Sequence, residues 1–121
     1  MLFRSHLLDQ EQHLTAAPED EVPQAWRSEK SVAIAMELQI NGTDGNGHRF
    51  QESIVTKRVA HDRIWFALNR SLLENSPLTI TARNGEFQEL ATVNRLLAWE
   101  GKQLVEAQFA TTPAHWIVGA A

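Results

Sequence analysis

Val32, Ile34, Met36, Leu38 and Ile40 take every second position of one unbroken run, with Ala33, Ala35, Glu37 and Gln39 between them. A period of two marks a half-buried β-strand, because successive side chains point to opposite faces of a pleated sheet. A chain carrying this run has to set a core against one of its faces. Directly before it stands the charged tetrapeptide Arg27-Ser28-Glu29-Lys30, itself preceded by Trp26. Cations at the entrance of a sheet are placed where an anionic ligand would be gripped.

The pattern continues as β to the far end. Asn41 to Gly47 is rich in residues that tolerate positive φ and reads as a hairpin turn. Asp44 is its only acidic residue, too few for a calcium loop. A second strand is expected from about Arg49 to Val59, a third over Ile64 to Leu68, and a fourth through Leu78, Ile80 and Ala82. Asn84-Gly85 signals another hairpin, before a fifth strand from about Phe87 to Trp99 and a sixth from Leu104 to Phe109. Thr112 as an N-cap, with Pro113 at the first helical position, then starts a short C-terminal helix through Ala114, Trp116 and Ile117. Six meandering strands and a terminal helix predict an all-β fold, a small six-stranded antiparallel β-barrel.

The N-terminal arm, residues 1–25, is of different texture. Leu2, Phe3, Leu7, Leu8 and Leu14 form one face of a short helix, and the acidic, proline-punctuated run Ala16 to Val22-Pro23 reads as a linker. So short a helix is marginal without a surface to pack on, which favours an arm that frays or docks on its own domain over one that grips a second subunit. The barrel domain is then residues 26–121.

At 121 residues the chain is one domain by length. Its net charge of −4 argues against broad binding to nucleic acid or an anionic membrane, both of which draw on surplus Lys and Arg. Without cysteine there is no thiol nucleophile, thiolate metal site or disulfide, as in a reducing cytoplasm. No stretch approaches the roughly 20 apolar residues of a membrane helix, and Arg4 and His6 interrupt the apolar N-terminus. The expected setting is cytoplasmic and soluble.

Catalysis has little support. The five histidines have no metal-ligand spacing, and His61-Asp62 are neighbours whose side chains diverge on a strand. The carboxylates Glu37, Glu52, Glu89 and Glu106 are accounted for by exposed strand faces. Neither metal nor cofactor is expected. Trp65 lies on the face opposite Ile64 and Phe66, which makes it the leading candidate for a protein-binding surface, with Trp26 beside the charged entrance as a second.

From Arg27 to Phe109 the order of these features resembles a PilZ domain, the bacterial signalling module that senses cyclic di-GMP. The resemblance rests on the Arg-Ser-Glu-Lys entrance before an alternating strand, the glycine turn followed by Arg49-Phe50-Gln51-Glu52, then Thr56, Ile64 to Leu68, the Leu73-to-Leu78 turn, Asn94 to Trp99, Val105 to Phe109, and the late Trp116. The family binds its ligand through an Arg-x-x-x-Arg pair and an Asp/Asn-x-Ser-x-x-Gly sequence. In the best register Trp26 and Lys30 stand at the arginine positions, and Arg58, Ala60 and Arg63 replace the second motif. An ammonium is a point charge and does not replace a planar guanidinium fork.

The resemblance therefore implies a divergent, non-enzymatic PilZ-like adaptor acting by protein-protein interaction, with Trp26 and Trp65 at its surface. The alternative is a sensor of cyclic di-GMP or another small anion, using Arg27, Lys30, Arg58 and Arg63 at the barrel mouth. A homo-oligomer built through the arm is a third reading.

Overall fold

A computed structural model describes residues 15–18, 21–27, 30–82 and 88–111. The helices expected near each terminus and the Asn84-Gly85 hairpin lie outside the described residues. Among the described residues there are eight strands: β1 (Thr15–Ala16), β2 (Ile34–Ala35), β3 (Glu37–Thr43), β4 (Arg49–Val59), β5 (Arg63–Ala67), β6 (Pro77–Ala82), β7 (Gln88–Trp99) and β8 (Lys102–Phe109). The last six close into a barrel in the order β3-β4-β5-β8-β7-β6, every neighbouring pair antiparallel. Among the described residues no helix is long and apolar enough to cross a membrane.

The barrel encloses the side chains that alternation assigns to it. Leu38 and Ile40 of β3, Ile64 and Phe66 of β5, Ile80 of β6, Val93 of β7, and Val105 and Ala107 of β8 meet inside, all essentially without solvent contact. Each large side chain buried in this way contributes about 1.5–3 kcal/mol of transfer free energy. Where β3 passes closest to β6 the inward position is Gly42, and a Cβ there would come within 2.7 Å of Leu78 Cδ2. Only glycine fits that crossing without displacing the core.

The long alternating run is not one strand. It breaks at Met36, where a residue of β4 takes over from the ladder. The buried Thr56 hydroxyl donates to the Ile34 carbonyl at 2.7 Å and accepts the Met36 N–H at 2.9 Å. Beyond this break the run bridges β4 again at Val32 and Val59, and β2 pairs with β1, aligning Thr15 with Ala35 and Ala16 with Ile34. Between these two short strands the chain makes an excursion over the barrel wall. Its segment at residues 21–27 contains a 3-10 turn, Gln24–Trp26, and is called the strap below.

At the end of the barrel carrying the β3–β4 hairpin, Asp44 organises the expected turn. Its Oδ1 accepts the N–H groups of Asn46 at 2.9 Å and His48 at 3.0 Å, and Gly47 takes the positive φ of 84°. Arg70, from the β5–β6 loop, reaches back to Glu52 at 2.7 Å and Asp44 at 3.3 Å, with its guanidinium 4.8 Å from the Phe50 ring centre.

Candidate functional site

Registers across four strands align one row of outward side chains: Arg58 of β4 opposite Trp65 of β5, Trp65 opposite Glu106 of β8, and Glu106 opposite Arg95 of β7. A second row, Ala67, Leu104 and Leu97, runs beside it. Both outer strands carry a register shift next to the first row, one at Lys57 between Thr56 and Arg58, the other at Asn94 between Val93 and Arg95. A bulge adds one residue and re-aims the side chains around it. Here each bulged residue makes a contact in this region: Lys57 Nζ meets Glu21 of the strap at 2.8 Å, and the Asn94 amide donates to Glu106 at 2.9 Å.

The strap lies across these rows. Val22, Trp26, Ala60, Trp65 and Leu104 form a cluster separate from the barrel interior, flanked by Ala67, Leu97 and Trp99. The Arg95 guanidinium sits 4.4 Å from the Trp26 ring centre, a cation–π contact. Arg27 Nε turns back to the Val22 carbonyl at 3.0 Å and closes the strap on itself.

Glu106 is the electrostatic centre. It is 0% exposed and receives Arg63 at 2.9 Å, Arg95 at 2.5 Å and the Asn94 amide. A carboxylate held out of water requires such partners. Arg63 is shared between Glu106 and Asp62; the Asp62 hydrogen bond is the largest influence raising its pKa, so the guanidinium stays charged. Arg58, also buried, donates from Nε to the Ser31 hydroxyl and from Nη2 to the Ser31 carbonyl, both at 2.9 Å.

The six residues singled out in the sequence thus take these places. Arg58, Arg63, Trp65 and Trp26 come together on the outer wall of the barrel, with Arg58 and Arg63 flanking the turn between β4 and β5. Arg27 belongs to the strap's own turn, and Lys30 lies exposed at the approach to Ser31. Three expectations need correction. Trp65 does point away from the barrel interior, but it is 1% exposed, because the strap covers it, so it presents no open surface. Trp26, part of the strap, is buried because it packs down into the cluster with Ala60, Trp65 and Leu104. Glu106, read as an exposed strand-face carboxylate, is fully enclosed.

Sequence reasoning also passed over Arg95, Asn94, Lys57 and Val22. The bulges left a trace: inward residues Ile54 and Val59 are five apart, and Val93 and Leu96 three apart, odd intervals that strict alternation forbids.

The site has one unfinished feature. The indole N–H groups of Trp65 and Trp99 are both buried with no acceptor among the described residues. Each such donor costs about 1–3 kcal/mol relative to a satisfied one. Three of the strap's carbonyls are already taken: Val22, Pro23 and Gln24 accept Arg27 Nε, the Trp26 N–H and the Arg27 N–H respectively.

Elsewhere, an open groove of about 630 Å³ crosses β3, β4 and β6 between Asn41, Arg49, Gln51, Pro77, Thr79 and Leu90. None of the six sequence candidates lines it, and Arg49 is its only charged residue. Among the described residues no group of His, Asp and Glu is placed to hold a metal ion.

Fold and site together define a closed six-stranded antiparallel barrel whose outer wall is strapped by its own N-terminal segment. Such a barrel fits the PilZ-like architecture implied by the resemblance. Among solved structures, the chain is similar to the inhibitor of motility MotI/DgrA of Bacillus subtilis, with a TM-score of 0.57 and 14% identity over 80% of this chain and 49% of that one. The chain therefore spans about half the length of that protein, and at this identity the likeness is one of fold. No family model matches the chain, and no curated protein matches it.

Proposed function

We propose that the chain is a non-enzymatic, cytoplasmic signalling adaptor, a divergent PilZ-like barrel that acts by protein-protein interaction and does not bind cyclic di-GMP in the family's manner. One observation carries the reading. The cations available for a ligand are engaged within the chain: Arg58 with Ser31, and Arg63 with Asp62 and Glu106, beneath or beside the strap. A dinucleotide would have to displace these contacts and would lack the paired guanidinium forks that grip phosphate. The fold likeness to a protein described as an inhibitor of motility supports a regulatory module. The second reading, a small-anion sensor, draws on the presence of Arg58, Arg63 and Arg95 on one wall.

Calorimetric titration of the full chain with cyclic di-GMP separates the two. The adaptor reading expects no saturable heat in the micromolar range. Micromolar binding that disappears in Arg63→Ala would replace it with the sensor.

A further inference from the structure

We propose that the wall under the strap is a docking groove for an extended peptide of a partner protein, and that this peptide displaces the strap. Its chemistry is an acidic residue followed by an aliphatic one, with an aromatic further along. The inference rests on the adaptor reading and supplies the kind of partner it requires.

The occupant now in place defines what the groove accepts. Glu21 pairs with Lys57, the adjacent Val22 is buried, and Trp26 packs into the same cluster with its ring on Arg95. The groove is also built by the barrel itself, through the two bulges that put Lys57 and Asn94 beside it.

The present occupant fits incompletely. It is coiled into a turn that uses its own carbonyls at residues 22–24, while Trp65 and Trp99 keep buried indole donors with no acceptor among the described residues. An extended segment has carbonyls to present to those donors, as peptides do on grooved surfaces. The strap can also leave without opening the barrel. All six barrel ladders close without it, and its base is the short β1–β2 pair.

The test uses the full chain and two fluorescein-labelled peptides, one copying residues 19–27 and one with the same sequence carrying Trp26→Ala. Binding is read by anisotropy. The wild-type chain should bind weakly, since the tethered strap competes, and Trp26→Ala in the protein should tighten binding about tenfold by removing that competitor. Glu21→Lys in the protein leaves every buried side chain in place and should tighten binding a few-fold by releasing the Lys57 clamp, roughly the effect of an exposed ion pair.

The parent peptide should bind, and the peptide carrying Trp26→Ala should not. No binding to folded Glu21→Lys protein, or equal binding of the peptide lacking its tryptophan, would overturn the proposal. Dimers of the Glu21→Lys protein in light scattering would overturn it too, assigning the wall to the strap of a second copy. Cyclic di-GMP binding, by contrast, would sink the adaptor reading and is measured separately.

Discussion

Glu106 brings a carboxylate fully out of water on a barrel wall, and Arg63, Arg95 and Asn94 converge on it from two neighbouring strands. Removing one member of a fully buried pair costs about 3–5 kcal/mol, because the partner's charge is stranded. Here the arginine side chains are 31% and 44% exposed and can rehydrate, so Glu106→Ala should cost less, about 1–3 kcal/mol. Glu106→Gln, which keeps one acceptor oxygen, should cost less still. Urea denaturation of both variants checks the order, with Glu74→Ala as an exposed control. A Glu106→Ala loss no larger than that control would show that the carboxylate organises nothing.

Elements were legible in the sequence to the extent that alternation reports facing. The inward residues of β3, β5, β6 and β8 follow from it directly, as does the hairpin at Asp44. Alternation does not report pairing, however, and that is why the run from Val32 to Ile40 read as one strand. Its facing barely changes at Met36; what changes is the hydrogen-bond partner, supplied by Thr56 from β4.

The outer wall was illegible for a related reason. Trp65 and Glu106 occupy outward positions; residues 21–27 bury the first, and Arg63, Arg95 and Asn94 close over the second. Thr56 offers the cleaner test at this scale. Thr56→Val keeps shape and burial but leaves the Met36 N–H and Ile34 carbonyl without their partner, which should cost about 1–3 kcal/mol. Amide exchange at Met36 should accelerate in Thr56→Val and stay slow in Thr56→Ser. Unchanged exchange in the valine variant would mean that the hydroxyl does not hold the junction.

At the scale of the whole molecule, the barrel has one end stitched by loops that are distant in sequence. Arg70 joins the β3–β4 hairpin to the β5–β6 loop. Gln103, at the start of β8, donates from its side-chain amide to the carbonyls of Leu68 at 2.8 Å and Arg70 at 2.7 Å. This end also makes folding sensitive to acid. Asp44 has its pKa lowered, chiefly by the hydrogen bond from the His48 backbone N–H, partly opposed by burial, and helped by the Asn46 N–H and the charge of Arg70. The unfolded chain then holds a proton on Asp44 at pH values where the folded chain does not, so stability rises with pH across that interval. The contribution is complete above the ordinary aspartate value of about 3.9 and is lost as pH falls through the lower folded value. Asp44→Asn retains an oxygen for the two amide donors but removes the titrating charge. Thermal midpoints measured from neutral pH to well below pH 4 should therefore fall less steeply for Asp44→Asn than for the wild-type chain, with the curves diverging only in the acidic range. Parallel curves throughout would place the acid sensitivity of the barrel elsewhere.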